Sequence, residues 1–251
     1  MGDDFRHFES LVKNYFANPD IIESYSTVGL FPAEEIIVNR FFRKGCTVLD
    51  IGCGAGRTAV ALSLKGYSVT GIDIVSDMIE KAKGLAKLHN TEVNFLAMDA
   101  GEMVFGEETF ENVLSTFNVI DQIPGKEKRG KVFRDIFKIC KRGGYFVLAS
   151  RSGFSMRRLL IWPWIFCVFL LEKYLKGNIY ELGDKRLRGE YYHYQNPFYI
   201  KRFCKDIGFN LVYFNSEKAL VRGRRSNFFA NFSGDRMLLY VFEKRRQSQD
   251  K

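Results

Sequence analysis

The strongest chemical signal in the chain is the run Val48-Leu49-Asp50-Ile51-Gly52-Cys53-Gly54-Ala55-Gly56-Arg57, answered downstream by Gly71-Ile72-Asp73. An apolar, β-branched stretch delivers the backbone into a tight glycine turn, and a helical pattern beginning near Arg57 carries it away. That is the form of a nucleotide-binding strand-loop-helix. Glycines there let the backbone approach a ligand closely, and an acidic residue at the tip of the next strand can hold a ribose diol. Dinucleotide loops use the spacing G-x-G-x-x-G, whereas this one reads G-x-G-x-G with Asp50 two residues before the first glycine. A carboxylate so placed repels a diphosphate and welcomes a ligand carrying a free amino group and a sulfonium. The loop therefore favours S-adenosylmethionine over NAD, which stays as a residual reading.

The elements that must position this loop alternate. Thr47 to Ile51 reads as a strand, Arg57 to Lys65 as a helix, Tyr67 to Ile72 as a strand, and Ser76 to Leu88 as a helix with Ser76 as its N-cap. Val93 to Met98 and Asn112 to Phe117 read as further strands. Lys126 to Cys140 has helical spacing at Val132, Phe133, Ile136, Phe137 and Cys140, and the stop Lys141-Arg142-Gly143-Gly144 leads into a strand over Tyr145 to Ser150. Such alternation implies an α/β fold, a parallel sheet covered by helices on both faces. Pro197 to Ile207 predicts a helix, with strands over Phe209 to Phe214 and Met237 to Phe242. Residues 1–44 look helical, with Phe41 and Phe42 packing on the sheet.

These features together resemble the class I SAM-dependent methyltransferases. The resemblance rests on V-L-D-I-G-C-G-A-G-R, then G-I-D, then M-D-A at Met98-Asp99-Ala100, then Ser115-Thr116-Phe117-Asn118-Val119-Ile120-Asp121, in the family's order and spacing. It covers residues 25–151, with a fainter echo in Gly208-Phe209 and the last two strands. It implies a Rossmann-like three-layer sandwich with a mostly parallel seven-stranded sheet, the last strand antiparallel, and a helical insertion after the fifth strand. The whole reads as a single domain: an N-terminal helical lid (1–44), a cofactor-binding core (45–151), an apolar and basic insertion (152–196), and a closing helix with two strands (197–251).

The resemblance also implies roles for individual residues. Asp50, Gly52, Gly54 and Gly56 match the loop beside the methionine portion of the cofactor. Asp73 matches the acidic residue that accepts both ribose hydroxyls, and Ile74 would lie against adenine. Asp99 with Ala100 matches the position that meets the adenine amino group and a ring nitrogen, although Asp99 also suits a helix N-cap. Phe117 and Asn118 stand where the family lines the methyl-bearing end; core packing and a turn are their plain alternatives. Tyr25 and Phe31, in Tyr25-Ser26-Thr27-Val28-Gly29-Leu30-Phe31-Pro32, are candidates for a lid. For catalysis, His193 in Tyr191-Tyr192-His193-Tyr194 and Asp121 beyond the fourth strand are the candidate bases. Arg151 would hold an acidic acceptor or form a salt bridge.

Composition narrows the partners less. The net charge of +9 and pI near 9.3 suit nucleic acid, anionic lipid or an acidic substrate. The basic clusters sit late, at Arg157-Arg158, Lys185-Arg186-Arg188, Arg222-Arg224-Arg225 and Lys244-Arg245-Arg246, the last read as a solvated tail. Five scattered cysteines without a C-x-x-C pair predict reduced thiols in a cytoplasmic setting, with no metal site. The amino terminus lacks the pattern of a cleaved export signal. Residues 159–171 are apolar on every face, shorter than a membrane span and broken by Pro163, so they must be buried as a lid, a homodimer contact or a shallow membrane insertion. The flanking cations and Trp162 and Trp164 suit peripheral membrane contact through 157–176. The expected activity is methyl transfer to an O- or N-nucleophile on a small-molecule or lipid-like acceptor. RNA methylation and a non-catalytic, cofactor-binding partner of another transferase are the alternatives.

Overall fold

The computed structural model describes residues 3–152, 184–187, 190–224 and 237–245. Three helices open the chain: α1 (Asp3–Phe16), α2 (Pro19–Ser24) and α3 (Pro32–Phe41). The core then alternates as expected: β1 (Thr47–Ile51), α4 (Arg57–Leu64), β2 (Ser68–Asp73), α5 (Ser76–Leu88), β3 (Asn94–Ala97), β4 (Phe110–Ser115), α6 (Lys126–Ile139) and β5 (Cys140–Arg151). Short 3-10 turns stand at Ala100–Glu102 and Ile120–Gln122. A hairpin of β6 (Asp184–Leu187) and β7 (Glu190–His193) precedes α7 (Pro197–Asp206), β8 (Phe209–Ser216), α8 (Glu217–Val221) and β9 (Met237–Lys244).

Seven strands form one sheet in the order β3-β2-β1-β4-β5-β9-β8. β9 pairs antiparallel with both β5 and β8, so the last strand alone runs against the others. This is the Rossmann-like three-layer sandwich the sequence implied. Strand alternation divides the core. Val48 packs among the side chains of α3, α4 and α5, while Leu49 and Ile51 face α6 and α7. Asp50 therefore shares the face of Val48. Because β1 lies between β2 and β4, the order reverses at its carboxyl end, and the glycine loop sits at the switch point where open α/β sheets bind ligands.

Some local readings change. α5 starts at Ser76, but its N-cap is Val75, with no capping side chain; the Asp73 Oδ1 accepts the Val75 N–H at 2.9 Å instead. The stop at residues 141–144 is a bulge inside β5: Gly143 takes a φ of 77°, and the register jumps from Phe110–Cys140 to Asn112–Tyr145. β4 ends at Ser115, before Phe117. Lys244 is not part of a solvated tail. Its Nζ is buried and donates to the Cys140 carbonyl at 2.8 Å, closing β9 against the end of α6. Phe41 and Phe42 do pack on the sheet, against Tyr145 and Tyr67. The helical insertion expected after β5 falls mostly on 153–183, outside the described residues; its described part is the β6–β7 hairpin, packed against α1 and the turn at Ile120–Gln122. The apolar run 159–171 and the clusters at 157–158 also lie outside them. No helix among the described residues is long and apolar enough to cross a membrane.

Candidate functional site

A cavity of about 470 Å³ opens at the carboxyl ends of β1, β2 and β4. Its floor is the glycine loop. Gly52, Gly54 and Gly56 take φ values of 70°, 53° and 91°, in the left-handed region where a side chain is costly. At Gly52 the requirement is also steric, since an added Cβ would collide with the Val119 side chain. The loop is pinned from below by the N–H groups of Gly52 and Cys53, which donate to the Ile72 carbonyl at 2.8 and 3.0 Å.

Asp73 fastens the loop from the side. Its Oδ2 accepts the Gly54 N–H at 2.9 Å while Oδ1 accepts that of Val75. Burial pushes its carboxyl up, and the N–H groups of Val75, Gly54 and Ile74 oppose that. Asp50 is 2% exposed, lines the cavity, and its Oδ2 has no hydrogen-bond partner among the described residues. Burial above all, then the neighbouring Glu34, lifts its carboxyl to about 7; Arg57 opposes and Asp73 adds. The Cys53 thiol in the same loop is driven up by burial and by Asp73 and Asp50, so it serves as a small apolar filler rather than a nucleophile.

Arg57 does not neutralise Asp50, because its guanidinium is committed elsewhere. It meets Glu34 bidentately at 2.9 and 2.8 Å, donates to the Gly29 carbonyl at 2.6 Å, and lies 3.8 Å from the Phe31 ring centroid. Glu34 in turn accepts the Phe31 N–H at 2.8 Å. One buried ion pair thereby fixes the whole approach to α3. Phe31 stacks on Phe117, and Tyr25 meets Phe117 edge-on, each at 5.8 Å between centroids. Phe16 of α1 extends the series at 6.0 Å from Tyr25. These rings roof the cavity. Phe117 and Asn118 hold consecutive left-handed φ values of 59° and 57°, a strain of about 1–3 kcal/mol each that turns the Phe117 ring toward the cavity.

At the opposite wall, Asp99 caps the turn at Ala100–Glu102, accepting the Gly101 N–H at 2.7 Å. Its other oxygen pairs with the Lys128 Nζ at 2.8 Å, and Lys128 also reaches Glu9 of α1 at 2.6 Å. The two carboxylates hold the Lys128 ammonium above its ordinary range despite burial, which works against them.

Of the residues expected at the site, Tyr25, Phe31, Asp50, Gly52, Gly54, Asp73, Ile74, Asp99, Ala100 and Phe117 line this cavity. Gly56, Asn118, Asp121 and His193 do not. Gly56 is the N-cap of α4, tight against Ala82. Asn118 is buried and accepts weakly from the Arg151 Nε at 3.4 Å. Asp121 is fully buried; it accepts the Ser150 hydroxyl at 2.7 Å and the Arg151 N–H at 2.6 Å, and burial lifts its carboxyl to about 7. His193 is buried on β7, its Nδ1 2.6 Å from the Asp184 Oδ1, which also accepts the Tyr191 hydroxyl. Arg151 makes no ion pair at contact distance among the described residues; it lies 4.5 Å from the Tyr192 ring centroid. Glu9, Val12 and Phe16 of α1, Gln122-Ile123-Pro124 and Lys128 line the cavity without having been foreseen. Nothing local in the sequence marks α1 or Lys128 for the site.

Residues 48–144 match the family model described as a methyltransferase domain. Among curated proteins, a ubiquinone biosynthesis O-methyltransferase of Coxiella burnetii is 27% identical over 111 residues, 43% of this chain and 46% of its own length. The chain spans about half the length of the curated relatives it matches. Among solved structures, a SAM-dependent methyltransferase from Methanosarcina mazei is 21% identical with a TM-score of 0.66, covering 88% of this chain and 100% of that one. The 1,6-didemethyltoxoflavin-N1-methyltransferase of Burkholderia thailandensis, solved with 1,6-didemethyltoxoflavin and S-adenosylhomocysteine, is 17% identical with a TM-score of 0.58, covering 86% of this chain and 77% of that one. At these identities the structural likeness is one of fold.

Proposed function

We propose that this chain, whose residues 48–144 match a methyltransferase-domain model, is a class I SAM-dependent methyltransferase that binds S-adenosylmethionine in the 470 Å³ cavity and moves its methyl group to a small-molecule or lipid-like acceptor. The observation that carries the reading is Asp50, which lines the cavity and whose buried Oδ2 has no hydrogen-bond partner among the described residues. A buried carboxylate without a partner is costly, and a ligand with an ammonium or sulfonium centre removes that cost, whereas a diphosphate raises it. The names of two similar proteins, one an O-methyltransferase and one an N1-methyltransferase, support an oxygen or nitrogen nucleophile.

When bound, the cofactor supplies an already activated methyl group on a sulfonium, so the chain's work is alignment and the exclusion of water. The glycine loop brings backbone within reach of the ligand. Asp73, whose oxygens already accept the Gly54 and Val75 N–H groups, would hold the ribose diol with its remaining lone pairs. Ile74 and Ala100 flank the base, with Asp99 toward its amino group. Tyr25, Phe31 and Phe117 close the roof. Asp121, both of whose oxygens are engaged, positions the exit of β5 through Ser150 and Arg151. His193, tied at Nδ1 to Asp184, braces the β6–β7 hairpin outside the lining of the cavity.

Thermal unfolding with S-adenosylhomocysteine beside NAD tests the reading. A ligand at a hundred times its Kd adds about 2.7 kcal/mol, so S-adenosylhomocysteine is expected to raise Tm by several degrees and Asp73→Ala to abolish the rise. Stabilisation by NAD alone would overturn it.

A further inference from the structure

Asp50 is embedded among charges that leave it without a counter-ion. Glu34 faces it from α3, Arg57 from α4 and Asp73 from β2; Cys53 stands in the loop, and Glu111, the one charged residue of β4, pairs with Arg43 at the strand's other end. Arg57 is the one cation in this group, and its bidentate pairing with Glu34 uses up its charge and its fork. The remaining pair, Asp50 and Asp73, are like charges. Asp73 has backbone N–H groups on both oxygens; Asp50 Oδ2 has nothing. Of two acids so placed, the one lacking donors keeps its proton.

We propose that ligand binding at this cavity is proton-linked: Asp50 carries a proton in the free chain and releases it to solvent when a positive centre of the ligand settles beside its carboxyl in the cavity wall. The proposal rests on the cofactor reading above and adds to it a charge balance. The Asp50 O–H bond breaks, the proton goes to water, and the ligand's cation takes its place, so the buried site gains no net charge. A neutral ligand of the same shape has no cation to exchange and leaves the proton where it is. The site thereby selects for charge, and the loss of the sulfonium on methyl transfer weakens the hold on what remains.

Calorimetric titration of the full chain at pH 6, in two buffers of different ionisation enthalpy, counts the protons directly. The probes are S-adenosylmethionine, S-adenosylhomocysteine and 5′-methylthioadenosine, which keeps the adenosine and thioether but has neither ammonium nor sulfonium. About one proton is expected to leave per S-adenosylmethionine bound, with affinity tightening about tenfold from pH 5 to pH 6 and levelling off above about pH 8. Release with S-adenosylhomocysteine as well identifies the ammonium as the partner, and release with S-adenosylmethionine alone identifies the sulfonium; both support the proposal. Asp50→Asn, similar in shape and neutral, is expected to bind without proton release, its fold checked by an unchanged or raised Tm. Binding of S-adenosylmethionine with no proton exchange, equal release with 5′-methylthioadenosine, or release retained in Asp50→Asn overturns it. Failure of all three probes to bind overturns the cofactor reading itself, and the proposal with it.

Discussion

Gly52 marks the point where a single hydrogen atom decides whether the cavity exists. Its φ of 70° and the Val119 side chain standing over it leave no room for a Cβ. Gly52→Ala is expected to cost about 1–2 kcal/mol in backbone strain alone, with a further loss as Val119 is pushed into the cavity. Denaturant melts should show the destabilisation, and S-adenosylhomocysteine should no longer raise Tm; a variant that binds as tightly as the parent would mean the loop does not approach the ligand. Gly54 is a sharper control, because its added Cβ would meet only the Met78 sulfur at 4.0 Å. There the strain of a left-handed φ acts without the collision.

At the scale of elements, ion pairs tie the roof to the core, and they are not equal. Glu34 and Arg57 are 5% and 14% exposed, hydrogen-bonded on all sides, and hold α3 and Phe31 over α4. Breaking such a pair strands a buried charge. Lys128, a quarter exposed, joins α6 to Asp99 and to Glu9 of α1. Solvent screening keeps a pair of this kind to about 1 kcal/mol or less. Lys128→Ala is therefore expected to leave the melt of the core within about 1 kcal/mol of the parent while loosening α1. Limited proteolysis should cut within residues 9–24 faster in the variant than in the parent. Equal cutting rates would show that the segment is held without Lys128, by the apolar packing of Phe16, Ile21 and Ile22 on Met78 and Val75 and by the Lys81–Glu23 pair.

For the whole molecule, the buried carboxylates set a pH profile. Asp50 and Asp121 are both lifted to about 7 from an ordinary 3.8. Between about pH 4 and pH 7 the folded chain keeps these protons while the unfolded chain loses them. Stability therefore falls as pH rises through this window, by up to about 1.4 kcal/mol per unit per carboxylate. Glu111, held low chiefly by the Thr47 N–H and also by Arg43, acts in the opposite sense and loses its contribution as pH falls below its ordinary range. Tm is expected to be highest near pH 4 and to decline toward pH 7. Asp121→Asn, which can still accept the Arg151 N–H and donate to Ser150, should flatten the decline; an undiminished slope would show that Asp121 is ionised in the folded chain.

The alternation of apolar strands and amphipathic helices from residue 47 to residue 151 determined the sheet, its parallel direction and the glycine loop, because these follow from period and local backbone preference. Asp50, Asp73 and Asp99 were legible for the same reason: each lies at a strand end or the turn just after it, where the chain's own sequence fixes its place. Only the tertiary structure decided which charges are compensated. That Arg57 belongs to Glu34 rather than Asp50, that Lys128 reaches back to Glu9, and that Asp121 turns into the core depends on contacts across up to 119 residues of chain. Such partners are chosen by packing and desolvation, which have no local period to read.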